Sequence, residues 1–170
     1  MDKHAPFRFA PMDEAAARDI VAWRYEAPYG VYDLGLEDEE QVVNCFLDPA
    51  NAYHAIFDRR GSLAAYCCFG AEGQVPGGDY SDSALDVGLG VRPDLTGQGL
   101  GGKFVGAVLR FAHGELAPAA FRVTVAEFNE RAFRVWKKAG FQPIQRFTRT
   151  FDGMPFVVLA RKASGAAAEV

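Results

Sequence analysis

Residues 86–104 read DVGLGVRPDLTGQGLGGKF and contain the signals of three successive structural elements. The Val- and Leu-rich run that ends at Val91 is typical of a strand, and Pro93 ends it because proline cannot donate to a sheet ladder. Four glycines then fall within the six positions 97–102. From Lys103 to His113 the apolar residues recur at helical spacing. The sequence therefore predicts a strand, a glycine-rich loop and a helix.

A glycine-rich loop that leads into a helix favours phosphate binding. The first backbone N–H groups of a helix have no partner within it, and together with the helix dipole they attract anions. Glycines let the backbone approach a phosphate closely. An ordinary glycine-rich turn is the alternative, but four glycines in this position favour a phosphate ligand.

Two nucleotide-binding patterns match part of the loop. Gly97-x-Gly99-x-x-Gly102 fits the dinucleotide fingerprint, but that turn normally follows its strand at once, and here the residues from Arg92 to Thr96 intervene. Gly97, Gly102 and Lys103 fit most of a P-loop, but Phe104 stands where a magnesium-binding hydroxyl is required. A nucleotide-binding domain stays open as an alternative.

A third pattern covers more of the chain. The run from Val91 to Gly101 resembles the acetyl-CoA loop of the GCN5-related N-acetyltransferase (GNAT) family, with Thr96 where Gln or Arg is usual. Residues 129–141, NERAFRVWKKAGF, resemble a later motif of the same family, in which an Asn begins a helix and Gly-Phe ends it. Asn is a good N-cap and Gly140 suits a C-cap.

The resemblance implies the fold. We expect an α/β (α+β) domain with a mixed, mostly antiparallel central sheet of six to seven strands, flanked by about four helices. The length of 170 residues suits one domain with a substantial core. We expect that domain over residues 1–162, followed by a flexible tail at 163–170.

The resemblance also implies the activity and the co-substrate. It implies an N-acetyltransferase that moves an acetyl group from acetyl-CoA to a primary amine by direct attack in a ternary complex. The implied acetyl-CoA-binding residues are those of the loop and of the later motif: Val91, Arg92, Gly97, Gln98, Gly99, Gly101, Gly102, Lys103, Asn129 and Trp136.

The chemistry of amide formation directs attention to three positions. Asp86 is the candidate general base, since Asp is uncommon within a strand and the amine must lose a proton. The backbone N–H of Val91 is the oxyanion donor that the resemblance implies. Trp136 stands where many family members have a Tyr that protonates the leaving thiolate, and an indole cannot transfer that proton.

Three explanations are open for how the leaving thiolate is protonated. Tyr66 or Tyr80 supplies the proton, CoA leaves as a thiolate, or the chain binds CoA without turnover. The last answer defines a second hypothesis, a non-catalytic acyl-CoA-binding or regulatory module on the same fold.

An aromatic segment near the N-terminus predicts the acceptor site. In the family, the region between the first two helices walls that site, and aromatic rings beside a carboxylate suit an amine. The predicted acceptor-binding residues are Trp23, Tyr25, Glu26, Tyr29 and Tyr32. The acidic residues Glu26, Glu37 and Asp38 favour a cationic acceptor, a small molecule or a peptide amine.

Composition excludes several other classes. The net charge of −4 and the lack of a basic stripe argue against nucleic acid and membrane partners. Three cysteines without CxxC spacing are read as reduced thiols of a cytoplasmic protein, and the three histidines form no metal-binding cluster, so no metal is expected. The family resemblance also implies a homodimer.

Overall fold

The computed structural model of the protein describes residues 6–35 and 38–163, and within these ranges lie seven strands and four α-helices. The strands are β1 (Arg8–Pro11), β2 (His54–Phe57), β3 (Leu63–Phe69), β4 (Leu85–Val91), β5 (Ala120–Ala126), β6 (Gln142–Thr148) and β7 (Pro155–Lys162). The helices are α1 (Glu14–Val21), α2 (Glu39–Leu47), α3 (Gly101–Leu116) and α4 (Glu130–Lys138).

The seven strands form one mixed sheet in the order β1-β2-β3-β4-β5-β7-β6. The pairs β1–β2, β2–β3, β5–β7 and β6–β7 are antiparallel, and β4 pairs in parallel with β5. The parallel ladder joins Leu85 to Phe121 and Asp86 to Arg122. This architecture confirms the predicted fold class.

The chain divides into two compact units, each built from two segments. The first unit comprises Met1–Cys68 and Leu89–Gln98, and the second comprises Phe69–Gly88 and Gly99–Val170. The expectation of one domain over residues 1–162 therefore stays a prediction. Residues 164–170 of the predicted tail lie outside the described part of the chain.

The first unit is built around α1 and α2. Asp13 begins α1 by accepting a hydrogen bond from the Ala16 N–H at 2.8 Å, since a carboxylate satisfies an N–H that the helix leaves unpaired. The two helices bury a shared apolar cluster that includes Ile20 and Phe46. Burying a side chain of this size contributes about 1.5–3 kcal/mol to the free energy of unfolding.

The second unit packs α3 and α4 with β5, β6 and β7. The buried side of α3 presents residues at helical spacing, among them Phe104 and Val108. Asn129 begins α4 by accepting a hydrogen bond from the Ala132 N–H at 3.0 Å. Gly140 follows that helix with φ +90°, a conformation that glycine adopts without steric cost. The helix boundaries read from the second motif are thus confirmed.

The predicted bounds of one helix were wrong by a few residues. The helix α3, expected from Lys103 to His113, begins at Gly101 and ends at Leu116. Gly101 and Gly102 therefore belong to the first turn of α3, where their backbone N–H groups are among those that a helix leaves unpaired.

Candidate active site

The end of β4 directs the N–H and the C=O of Val91 away from β3. The Arg92 N–H donates to the Ala64 carbonyl of β3 at 2.9 Å. Because successive residues of a strand direct their backbone groups to opposite sides, the N–H and C=O of Val91 point away from β3. The Val91 carbonyl accepts a hydrogen bond from the Tyr25 hydroxyl at 2.9 Å. The predicted oxyanion donor thus lies on the same side of the strand as Tyr25.

Gly90 makes room for an aromatic ring on the same strand. A Cβ added to Gly90 would lie 2.2 Å from Cε1 of Tyr66, so no larger residue fits there without movement of that ring. Tyr66 also lies near Trp23 and Phe46, with ring centroids 5.9 and 5.3 Å away. Burial raises the pKa of Tyr66 well above its ordinary value, so the hydroxyl stays protonated near neutral pH.

The predicted acceptor residues lie in the irregular segment after α1. The ring of Tyr25 meets that of Tyr32 edge to face at 6.4 Å, and Tyr29 begins the 3₁₀ turn Tyr29–Tyr32. Glu26 is exposed, and Trp23 is half-buried. The structure thus pairs the ring of Trp23 with that of Tyr66, and the ring of Tyr25 with that of Tyr32. Glu26, the residue after Tyr25, lies at the surface.

Sequence reasoning missed Asp33, which fixes this segment. Its carboxylate accepts a hydrogen bond from the Tyr25 backbone N–H at 2.8 Å. The signal was a carboxylate that follows a turn containing Pro28 and Gly30, a common setting for side-chain-to-backbone hydrogen bonds. Glu37, predicted to favour a cationic acceptor, lies outside the described residues, and Asp38 is the N-cap of α2.

The side chain of Arg92 is held within its own loop. Its guanidinium donates to the Asp94 carboxylate at 2.6 and 3.1 Å and to the Leu63 carbonyl at 2.6 Å. The hydrogen bonds to Asp94 raise the pKa of Arg92. These bonds occupy the guanidinium group of Arg92. The predicted contact with acetyl-CoA must therefore use other atoms of this residue.

The first part of the glycine loop belongs to the first unit. Gly97 adopts φ +70°, which favours glycine, and is exposed. The Gln98 side chain donates to the Asp94 carbonyl, and the Thr96 hydroxyl donates to the Pro93 carbonyl at 2.7 Å. Thr96, the departure from the family pattern, thus stabilises the turn through a local hydrogen bond.

The second part of the loop begins α3 in the second unit. Gly99 adopts φ +73°. A Cβ at Gly101 would lie 2.8 Å from Cγ2 of Val135, so this glycine permits the close approach of α3 and α4. A Cβ at Gly102 would meet nothing within 4 Å, and Lys103 is exposed beside it. The first turn of α3 is therefore open and bordered by a cation, which suits an anionic ligand.

The second motif supplies one capping residue and one core residue. The Asn129 side chain caps α4, as described above. Trp136 is 4% exposed and packs edge to face on Phe141, with ring centroids 4.9 Å apart. Burial of the indole accounts for the aromatic residue at this position without any role in binding.

Asp86 lies in a buried ion pair. It is 2% exposed, and Arg122, 3% exposed, donates to both of its carboxylate oxygens at 2.6 and 2.8 Å. The Gln74 side chain donates a further bond at 2.8 Å. The hydrogen bonds to Asp86 raise the pKa of Arg122. These contacts favour a structural role for Asp86, and its role as general base stays a prediction.

Arg122 also holds the segment before β4. Its guanidinium donates to the Asp82 carbonyl at 3.0 Å and lies over the Tyr80 ring, 4.9 Å from the centroid. The Tyr80 hydroxyl is within 2.9 Å of both the Val75 N–H and the Thr124 hydroxyl. Sequence reasoning missed Arg122, although a charged residue within an apolar strand is the same signal that drew attention to Asp86.

Across residues 6–35 and 38–163, no group of three or more His, Cys, Asp or Glu side chains is arranged to hold a metal ion. In the same ranges, no helix has the length and hydropathy needed to cross a bilayer.

Comparison with known proteins identifies the family. The model of the acetyltransferase (GNAT) domain matches residues 8–142, and the chain belongs to this family of acetyl-CoA-dependent acetyltransferases. A comparison with curated protein sequences found no match.

Solved structures share the fold at low sequence identity. A chimera of the spermidine N-acetyltransferase SpeG from Vibrio cholerae and hSSAT has a TM-score of 0.74 at 14% identity, covering 94% of this chain and 96% of that one. The aminoglycoside N(6')acetyltransferase from Legionella pneumophila has a TM-score of 0.70 at 19% identity, covering 95% of each chain. The Vibrio cholerae spermidine N-acetyltransferase in complex with CoA and spermine has a TM-score of 0.65 at 15% identity, covering 95% of this chain and 98% of that one.

Proposed function

We propose that this protein transfers an acetyl group from acetyl-CoA to a primary amine of a small cationic acceptor, by direct attack of the amine on the thioester. The observation that carries the proposal is the glycine loop, which leads into the open first turn of α3 in a chain of the GNAT family. Both features suit a ligand that contains phosphate groups, and acetyl-CoA, which carries a pyrophosphate, is such a ligand.

In this proposal the loop binds the phosphates of acetyl-CoA through its backbone. The N–H groups of the first turn of α3 meet the pyrophosphate, and the exposed Lys103 adds a positive charge. Gly97 and Gly99 give the loop its turns, and Gly102 leaves space at the helix start. The spermidine N-acetyltransferase bound to CoA and spermine is a relative in fold, which supports the choice of ligand.

The acceptor is assigned to the aromatic segment after α1. Its rings Trp23, Tyr25 and Tyr32 can hold a protonated amine by cation–π contacts, and the exposed Glu26 adds a negative charge. Two proteins of the same fold are named as acetyltransferases of spermidine and of an aminoglycoside, and both of these acceptors are cationic amines. A small polyamine or an amino sugar is therefore the acceptor class that we propose.

The transfer step balances without a general acid from the chain. The neutral amine nitrogen attacks the thioester carbonyl carbon, the developing oxyanion accepts a hydrogen bond from the Val91 N–H, and the C–S bond breaks. CoA leaves as a thiolate and takes its proton from water, since a thiol with a pKa near 8.5 needs little assistance. The amine proton passes to solvent water. Transfer to Asp86 through water, which the sequence predicts, would require the buried ion pair with Arg122 to open.

A non-catalytic CoA-binding module is the second candidate. The observations that favour it are the buried Asp86–Arg122 ion pair and the buried Trp136, because neither arrangement presents an acid or a base to a substrate. The two candidates share the CoA site and differ only in turnover.

The test is an acetylation assay with purified protein. Acetyl-CoA is mixed with spermidine, spermine, kanamycin or a short peptide with a free N-terminus, CoA release is followed with a thiol reagent, and products are identified by mass spectrometry. An acetylated polyamine or aminoglycoside supports the proposal. The non-catalytic module is favoured if the protein binds CoA but no amine raises the rate of CoA release from acetyl-CoA above the rate without acceptor.

A further inference from the structure

We infer that Tyr25 is a positioning residue, whose hydroxyl holds the Val91 peptide so that the Val91 N–H faces the thioester; this inference rests on the proposed acetyl transfer. Tyr25 was expected only to line the acceptor site. The hydrogen bond from its hydroxyl to the Val91 carbonyl, 2.9 Å long, gives it a second duty at the reacting group.

Tyr25 is itself held at three points. Asp33 accepts a hydrogen bond from its backbone N–H at 2.8 Å, Tyr32 packs on its ring at 6.4 Å, and its hydroxyl reaches Val91. A side chain fixed at its base, ring and tip keeps one orientation, and such support is what places a catalytic group reproducibly.

The peptide unit between Val91 and Arg92 is held through both its C=O and its N–H. Its carbonyl accepts from Tyr25, and the N–H of the same peptide unit, that of Arg92, donates to the Ala64 carbonyl at 2.9 Å. A peptide plane held through both its C=O and its N–H cannot rotate freely. It also anchors the α-carbon of Val91, and only the two soft dihedral angles at that atom join this plane to the one that carries the Val91 N–H. Without Tyr25, only the bond to β3 would fix this plane.

The Tyr25 hydroxyl is better suited to hold the peptide than to protonate the leaving group. Burial raises its pKa well above the ordinary value, and the charge of Asp33 adds to that effect. Proton transfer from such a phenol to a thiolate is strongly uphill, because thiols are much stronger acids. The hydrogen bond from its hydroxyl to the Val91 carbonyl, together with this weak acidity, assigns Tyr25 to positioning, and the proton on the released thiol comes from water.

One consequence is a link between acceptor and thioester. The segment that carries Tyr25 and Tyr32 is the proposed acceptor site, and its tyrosine also touches the carbonyl of the proposed oxyanion donor. An amine that displaces this segment would disturb the oxyanion donor, and an amine that leaves it in place would not. Acceptor specificity would then appear in kcat as well as in KM.

The experiment uses Tyr25→Phe, which retains the ring and the bond from its N–H to Asp33. Tyr53→Phe is the matched control, because it removes a hydroxyl from another ring of the first unit, which packs on Phe46 at 4.4 Å. The measurements are the Kd of acetyl-CoA and of CoA, acceptor-free acetyl-CoA hydrolysis, kcat with spermidine, and hydrogen exchange at the Arg92 amide.

Comparison of the two ligands separates positioning from general stability. CoA lacks the thioester carbonyl, so loss of the oxyanion donor weakens acetyl-CoA relative to CoA, whereas a loosened fold weakens both equally. For Tyr25→Phe we expect a three- to tenfold fall in kcat and in hydrolysis, about the effect of one neutral hydrogen bond. We also expect CoA affinity to be retained and the Arg92 amide to exchange several-fold faster.

Three outcomes would overturn the inference. Unchanged kcat and Arg92 exchange in Tyr25→Phe, or an equal loss of acetyl-CoA and CoA affinity that follows the fall in Tm, would each do so while leaving the proposed function intact. A wild-type protein that neither binds acetyl-CoA nor hydrolyses it would defeat the proposed function, and the inference with it. If Tyr25→Phe fails to fold, Asp33→Ala is measured instead, with a smaller change in the same direction expected.

Discussion

Gly102→Ala separates folding from ligand binding at the glycine loop. In the protein alone, a Cβ at Gly102 meets nothing within 4 Å, and the residue lies in the first turn of α3. The new methyl group therefore causes no clash in the free protein. In the proposed site, it would occupy space beside the backbone N–H groups of this turn, which the phosphate must approach.

The substitution is expected to raise the stability of the fold and to lower the affinity for CoA. Replacing glycine by alanine in a helix stabilises the fold by about 0.5–1 kcal/mol, and by less near a helix end. A methyl group that pushes the phosphate away breaks at least one hydrogen bond to a charged group, a loss of about 1.5–3 kcal/mol. This corresponds to a Kd for CoA that is about ten- to a hundredfold higher.

Gly114→Ala is the matched control. Gly114 lies in the same helix, and a Cβ there also meets nothing within 4 Å. Urea unfolding gives the stability of both variants, and isothermal titration with CoA gives their Kd values. We expect both variants to be at least as stable as the wild type and only Gly102→Ala to lose affinity. A Gly102→Ala variant that binds CoA as tightly as the wild type would refute the placement of the phosphates.

Three further predictions concern stability. Gly101→Ala is expected to lower the free energy of unfolding, measured with urea, by about 1–3 kcal/mol because the new methyl group overpacks against Val135. Adding Val135→Ala to the same chain should recover part of this loss. No recovery would contradict the close approach of the two residues as the cause. Asp86→Asn leaves the Arg122 charge buried and should lower the free energy of unfolding by about 3–5 kcal/mol, whereas a variant with wild-type stability and a lost acidic limb in its pH–rate profile would favour the base role. Because the folded-state pKa of Tyr66 is raised, its contribution to stability is present below about pH 10 and is lost above it, so Tyr66→Phe should unfold with a weaker alkaline dependence than the wild type.

The parts of the fold that follow from local chemistry were predictable. Pro93 ended the central strand, Asn129 began α4, and Gly140 followed it, because each residue acts on its own backbone. The start of α3 was placed two residues late, since Gly101 and Gly102 are poor helix formers. Their place in the helix depends on tertiary contacts, such as that of Gly101 with Val135, which no local rule contains.

The contacts within the candidate site were less predictable. Asp86 was singled out correctly as an unusual strand residue, but its partner Arg122 comes 36 residues later and is brought to it by the parallel pairing of β4 and β5. The bond from Tyr25 to Val91 spans 66 residues. Such pairings are set by sheet register and loop path, and a single sequence gives the residue types without their neighbours.

The central claim is that the loop around Gly97–Lys103 binds acetyl-CoA. The most direct measurement is thermal unfolding of the wild-type protein with acetyl-CoA, CoA, NADH or Mg-ATP at equal concentrations. At a hundred times its Kd, a ligand that binds only the folded state stabilises it by about 2.7 kcal/mol, which shifts Tm measurably. We predict such a shift with acetyl-CoA and with CoA. A shift with NADH or Mg-ATP and none with acetyl-CoA would contradict the claim and favour a nucleotide ligand for the same glycines.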